Sequence, residues 1–330
     1  MYTSLVFELF ESKVLANNPL GDPATRRVPI ILPPGYDEDP ERRYPVLYGL
    51  AGFSGRGQTM LNVKAWGLNL QDRLELLYAN GMPHAIVVLP DCFTSLGGSQ
   101  YRNSSAVGNY EDYLVKELVP MVDQRYRTIA EPRGRGLFGK SSGGYGAFML
   151  ALRHPDVFSA FACHSGDMVF DLCYGPDFPK AANAFSAAGG VEAWWKQFQL
   201  KGHKSTQDFE AINVLAMAAC YSPNPNAPLG IDLPFDLHLC ERREEVWARW
   251  LACDPYELVP MYTQALQAMR LIFFDCGNRD EFNLHYSARR MRIRLNELGV
   301  AHEYQEFDAG HFNIEYRYDV SLPKLLDVLR

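Results

Sequence analysis

Short apolar runs alternate with stretches of helical periodicity along most of the chain. Residues 4–10 and 27–32 are strand-like, joined by turn residues, and Pro33-Pro34-Gly35-Tyr36 closes the second, so the pattern predicts an opening hairpin or meander. Pro45-Val46-Leu47-Tyr48-Gly49-Leu50 and Ala85-Ile86-Val87-Val88-Leu89-Pro90 are uninterrupted apolar runs of strand length, as in strands buried on both faces. Between them, Leu68, Leu70, Leu74 and Leu77 recur at helical spacing over residues 66–78 and stop at Asn80-Gly81. A polar loop over 91–103 follows, and Asn109 is placed to cap a helix over 110–126. Strands over 136–138, 158–163, 271–274 and 304–307 then alternate with helices over 145–152, 256–269 and 284–298, and the chain closes on a helix through Leu329.

This alternation predicts an α/β fold with a mostly parallel central sheet flanked by helices. It lapses between about Asp167 and Pro255, where Trp194, Trp195, Trp247 and Trp250 gather with Pro223, Pro225, Pro228 and two amphipathic helical stretches. We read residues 167–255 as an inserted, mainly helical cap and residues 1–166 with 256–330 as the α/β core. The four tryptophans are expected mostly to pack the cap, with one or two lining a pocket.

One stretch combines a strand, a glycine-rich turn and a helix: Leu137-Phe138-Gly139-Lys140-Ser141-Ser142-Gly143-Gly144-Tyr145-Gly146-Ala147. Gly139 and Gly143 flank Ser141 in G-x-S-x-G spacing, which suits a nucleophilic serine on a sharp strand-to-helix turn. Ser142 lacks this frame, because Lys140 stands two residues before it. A five-residue pattern also arises in ordinary loops, so its context decides. An acid and then a histidine must follow on loops after later strands. Asp280 follows the predicted strand 271–274, and His311, in Asp308-Ala309-Gly310-His311-Phe312, follows the strand 304–307. In this arrangement His311 takes the Ser141 proton and Asp280 orients the imidazole. Asp275 is the alternative acid, nearer its strand. The backbone amides of Ser142 and Phe53, the latter in the loop after the strand ending at Leu50, are expected to form the oxyanion hole. The loop Gly97-Gly98-Ser99-Gln100-Tyr101-Arg102-Asn103 is either a substrate contact or a solvated loop.

Composition narrows the partners. The 330 residues carry a formal charge of −7, which argues against nucleic acid or an anionic membrane as the main partner. No apolar run is long enough to span a membrane. The seven cysteines form no C-x-x-C pair and read as reduced thiols; with no basic, apolar leader at Met1, they predict a cytoplasmic protein. The remaining histidines show no metal-ligand spacing, so neither metal nor other cofactor is expected.

The succession Leu32-Pro33-Pro34-Gly35-Tyr36, Tyr44-Pro45-Val46-Leu47-Tyr48, the segment 139–147, Asp275-x-Gly-x-x-Asp280-x-Phe282 and Gly310-His311 resembles an esterase family of α/β hydrolases. That family includes esterase D, feruloyl and acetylxylan esterases, enterochelin esterases and the antigen 85 mycolyltransferases. The resemblance covers everything but the cap. It implies an α/β-hydrolase fold, Ser141, Asp280 and His311 as the triad, Phe53 and Ser142 as oxyanion donors, a small-molecule ester as substrate, and a homodimer. Ala51 stands where the family commonly has the histidine of a His-Gly loop. A serine carboxylester hydrolase on small to medium acyl esters, working through an acyl-enzyme, is therefore expected. An acyltransferase of the same fold and a non-catalytic binding protein are the alternatives.

Overall fold

The strands are β1 (Ser4–Glu11), β2 (Thr25–Leu32), β3 (Val46–Leu50), β4 (Ile86–Val88), β5 (Asn103–Ser104), β6 (Gly108–Asn109), β7 (Arg135–Lys140), β8 (Ala160–His164), β9 (Leu271–Gly277) and β10 (Glu303–Phe307). In the computed structural model, which describes residues 2–329, eight of them form one sheet in the order β1-β2-β4-β3-β7-β8-β9-β10. The short β5 and β6 pair separately. The opening hairpin is antiparallel and joins the sheet through β2 and β4. From β4 to β10 every pairing is parallel. Such a sheet must be covered on both faces. Val46, Tyr48 and Leu50 of β3 accordingly pack into one apolar cluster with Phe148 and Phe161, while Leu47 joins Leu70, Leu74, Leu325 and Leu326 on the other side.

Several predicted helices differ in extent for local reasons. The helix expected over 66–78 runs Leu70–Ala79, because Asn69 caps it by accepting the Asp72 amide; Trp66, before that cap, is fully exposed. The helix expected over 110–126 runs from Tyr110 to Arg125, but its middle, Tyr113–Leu118, is a wide π turn leading into Pro120, which has no amide to donate. Asn109 occupies the N-cap position of this helix without a side-chain capping bond. Pro260 divides the expected helix 256–269 into Pro255–Leu258 and Thr263–Gln267.

The chain between β8 and β9 contains an inserted helical cap. Its α-helices are Phe170–Cys173, Phe178–Ala187, Val191–Leu200, Thr206–Tyr221 and Glu244–Leu251, more than the two stretches expected. Trp247 and Trp250 are buried and pack edge-on to Phe178, and Trp194 packs on Phe185. Trp195 is half-buried and lines a cavity with Leu20, Leu96 and Leu215, none of them from the glycine-rich turn.

At the sheet centre the chain leaves β7, turns at Ser141 and enters the helix Ser142–Arg153. That helix crosses so close to β3 that a Cβ on Gly143 would lie 2.0 Å from the Leu50 carbonyl oxygen, and one on Gly139 would lie 2.4 Å from the Gly143 carbonyl. No side chain fits at either position. Behind the turn, His164 Nδ1 lies 2.6 Å from Asp275 Oδ1 and His164 Nε2 lies 2.9 Å from Ser321 Oγ, while Arg317 Nε donates to Asp275 Oδ2 at 2.8 Å. This cluster ties β8 and β9 to the closing helix Tyr318–Val328; His164, Asp275 and Ser321 are buried in it and Arg317 is half-buried at its margin.

Two stability outcomes follow from these contacts. Gly143→Ala is expected to destabilise the fold by about 1–3 kcal/mol through overpacking against Leu50, read as a lower denaturant midpoint; an unchanged midpoint would contradict the close approach. Asp275→Ala leaves the buried His164 and the half-buried Arg317 without their carboxylate and is expected to cost about 3–5 kcal/mol. A loss below about 1 kcal/mol in equilibrium unfolding would show the cluster to be dispensable.

Candidate active site

The turn holds Ser141 at φ 59° and ψ −128°, in the left-handed half of backbone space that non-glycine residues avoid. Its amide is anchored by donating to the His164 carbonyl at 2.9 Å, so the strain is held in place by the neighbouring strand. Ser141 is half-buried, whereas Ser142 is buried. The loop after β3 passes beside it: a Cβ on Gly52 would lie 3.5 Å from the Ser141 Cβ. Among the described residues, neither the Phe53 nor the Ser142 amide donates to a protein acceptor. The Ser142 amide is one of the free N–H groups of a helix's first turn.

Asp280 and His311 leave the ends of β9 and β10 and meet. His311 Nδ1 lies 2.7 Å from Asp280 Oδ2, both side chains being almost wholly enclosed. The other carboxylate oxygen, Oδ1, accepts the Phe282 amide at 2.9 Å. Burial by itself would raise the Asp280 carboxyl, but hydrogen bonding to His311, its charge, and the Phe282 and Leu284 amides outweigh it and hold the group below the ordinary carboxylate value. The imidazole is fixed on two further sides: its own backbone amide donates to Glu281 Oε2 at 2.6 Å, and the Phe282 ring meets it edge-on at 4.7 Å.

The other candidates separate cleanly. Asp275 does not reach His311; it pairs with His164 and Arg317 inside the buried cluster. That cluster also contains a serine, a histidine and an aspartate, yet Ser321 lies in mid-helix and has no exposure. Asp308 is exposed and pairs with Arg279, and His154 bonds Glu111 at the end of the helix that follows Ser141.

Asp167, where the cap begins, lies buried beside the turn. Its Oδ2 accepts hydrogen bonds from Tyr174 OH at 2.9 Å, Ser142 Oγ at 3.1 Å and Gln100 Nε2 at 3.2 Å. Burial pushes its carboxyl above the ordinary range, against the opposing pull of Tyr174, the nearby His311, Gln100 and Ser142. Nothing in the local sequence marks Asp167, because its partners come from the loop after β4, the elbow and the cap.

A cleft of about 360 Å³ opens from Gly52 and Phe53 towards Lys140 and Glu315. Lys140 Nζ donates to Glu315 Oε1 at 3.0 Å, which closes one wall. A neighbouring cleft shares Lys64, Leu68, Arg73 and Glu315 with it and extends to Trp66 and Tyr316. Among the described residues no cluster of three or more His, Cys, Asp or Glu is arranged to hold a metal ion, and no helix is long and apolar enough to cross a membrane.

The chain is similar to several known proteins. An esterase of Mycobacterium tuberculosis strain H37Rv is 34% identical over 299 residues, covering 86% of this chain and 52% of that protein. The chain therefore spans about half the length of that relative. An endo-1,4-β-xylanase/feruloyl esterase of Xylanibacter ruminicola is 28% identical over 145 residues, 42% of this chain and 19% of that protein. Among solved structures, a ferulic acid esterase superposes with a TM-score of 0.64 at 20% identity, covering 99% of each chain. An S-formylglutathione hydrolase from Agrobacterium tumefaciens gives 0.59 at 14% identity, covering 99% of this chain and 95% of that one. At these identities the superpositions show a shared fold. A protein-family comparison matches residues 23–324 to the family described as "Putative esterase", and the chain belongs to that family.

Proposed function

We propose that this chain is a serine carboxylester hydrolase in which Ser141 is the nucleophile, His311 the general base and then acid, and Asp280 the residue that orients the imidazole. The observation that carries the reading is the buried 2.7 Å contact between His311 Nδ1 and Asp280, formed at the same sheet edge as a serine held at φ 59°. With Nδ1 donating to the carboxylate, Nε2 is the free acceptor for the Ser141 proton. Ser141 Oγ then bonds to the acyl carbon, and the carbonyl electrons move onto oxygen. The two unpaired amides of Phe53 and Ser142 are the donors for that oxyanion. On collapse the alkoxide leaves with the proton from His311, and water, activated by the same base, clears the acyl-enzyme.

The substrate we assign is a small to medium ester, as the family resemblance implies; the cleft of about 360 Å³ adjoins the oxyanion loop at Phe53 but is lined by neither Ser141 nor His311. We assign residues 167–255 to a cap over a core of residues 1–166 and 256–330. The cysteines Cys92, Cys163, Cys173, Cys220, Cys240, Cys253 and Cys276 are unbridged, which supports a reducing, cytoplasmic setting. The homodimer rests on family resemblance alone.

Hydrolysis of a p-nitrophenyl ester series from acetate to long chains tests the assignment. Ser141→Ala is expected to lose on the order of 10⁴-fold or more in kcat with its fold intact. A variant retaining the wild-type rate would remove Ser141 from the mechanism. Asp280→Asn is expected to lose on the order of 10⁴-fold, through the wrong tautomer. Because the Asp280 carboxyl lies below its ordinary value, it stays ionised above about pH 4 and loses its charge only as the pH falls further. The wild-type pH–rate profile above about pH 4 is thus expected to contain no inflection that Asp280→Asn removes.

A further inference from the structure

We propose that Asp167 is a positioning residue that sets the geometry of the oxyanion hole, an inference that rests on the esterase reading above. The two donor amides come from segments with no covalent reason to stay in register: Phe53 follows β3, and Ser142 begins the helix after β7. A single loop, residues 97–101, packs on the first and shares the acceptor Asp167 with the second. On one side the Phe53 ring lies against Gly97, where an added Cβ would sit 2.8 Å from the ring, and the Ser54 amide donates to the Gly97 carbonyl at 2.8 Å. On the other, Gln100 Nε2 and Ser142 Oγ donate to the same oxygen, Asp167 Oδ2. Tyr101 OH completes the grip by donating to the Ala51 carbonyl at 2.6 Å.

Asp167 joins the turn at Ser141 and Ser142 to this loop by hydrogen bonds. Ser142 contributes its amide to the hole and its hydroxyl to Asp167, so the carboxylate restrains the residue whose N–H must point at the oxyanion. Gln100 and Tyr101 sit at φ 50° and 52°, a consecutive pair of left-handed non-glycine residues, and such strain persists only where surrounding contacts over-determine it. Asp167 supplies one of those contacts. A buried carboxylate beside a site that must hold negative charge is tolerable because three donors converge on Oδ2.

The same hub reaches the cap. Tyr174 OH donates to Asp167 Oδ2, and Gln100 Nε2 also donates to Tyr221 OH at 2.9 Å, at the end of the helix Thr206–Tyr221. Phe209 of that helix meets the Phe53 ring edge-on at 5.9 Å. The cap thereby braces both halves of the hole.

The test compares wild type, Asp167→Asn, Ser142→Ala, the double variant and Tyr174→Phe in p-nitrophenyl acetate hydrolysis, with active sites counted by fluorophosphonate labelling taken to completion. Asn at 167 offers the three donors one neutral amide oxygen in place of the charged Oδ2, so the bonds that hold Ser142, Gln100 and Tyr174 weaken. Per active site, Asp167→Asn is expected to lower kcat about 10²-fold with KM within about twofold. Affinity for a trifluoromethyl ketone, whose adduct carries the oxyanion, is expected to fall by the same factor as kcat/KM. Ser142→Ala keeps the amide and is expected to lose about tenfold, and the double variant to be no slower than Asp167→Asn alone. Tyr174→Phe removes one donor of three, is expected to lose about threefold in kcat, and carries the test should Asp167→Asn fail to fold. Wild-type kcat per active site in Asp167→Asn or, should that variant not fold, in Tyr174→Phe would overturn the proposal. So would equal losses in ketone affinity and product affinity, or strictly additive effects in the double variant. A wild type with no Ser141-dependent turnover would instead overturn the esterase reading itself.

Discussion

Everything at the candidate site depends on how closely two backbones approach at the end of β3. The helix after Ser141 passes the Leu50 carbonyl with no room for a Cβ at Gly143, and the strand before it leaves none at Gly139. This contact forces the turn that puts Ser141 into the left-handed region, brings the first amide of the helix beside the loop of Phe53, and leaves both amides unpaired. Strain of this kind costs on the order of 1–3 kcal/mol and needs a rigid surround. The parallel strands β3, β7 and β8 supply it, with the Ser141 amide held by the His164 carbonyl.

The two histidine–aspartate pairs of this fold show how similar side chains are put to different ends. His164, Asp275 and Ser321 are as well bonded as any triad, but they are sealed between the sheet and the closing helix, where no substrate carbonyl enters. Their work is to hold β8 and β9 together, and through β8 the carbonyl that anchors Ser141. His311 and Asp280 are built on loops beyond the strand ends, the place where parallel sheets present their ligands. Position in the fold, more than residue type, sets the two pairs apart.

Much of this was legible from residue order. The alternation of apolar runs predicted the parallel sheet, and the spacing of Gly139, Ser141 and Gly143, followed by Asp280 and His311, pointed to the elements that carry the candidate site. Helix limits were less legible where proline intervened: Pro260 split one expected helix, and the turn before Pro120 widened to π geometry. Asp167 was not legible at all, because its partners Gln100, Ser142, Tyr174 and the cap hydroxyl of Tyr221 converge only in three dimensions. Trp66 shows the converse, a large apolar residue in a helical pattern that lies outside the helix once Asn69 has taken the cap.

The central claim is that Ser141, and no other serine near the sheet edge, forms the covalent intermediate. Acid-quenching a pre-steady-state burst with p-nitrophenyl acetate and locating the acetyl group by peptide mass spectrometry tests it most directly. The account predicts acetylation of Ser141 in one-to-one proportion with the burst. Acetyl found on Ser142 or Ser321, or a burst with no acylated serine, would contradict it.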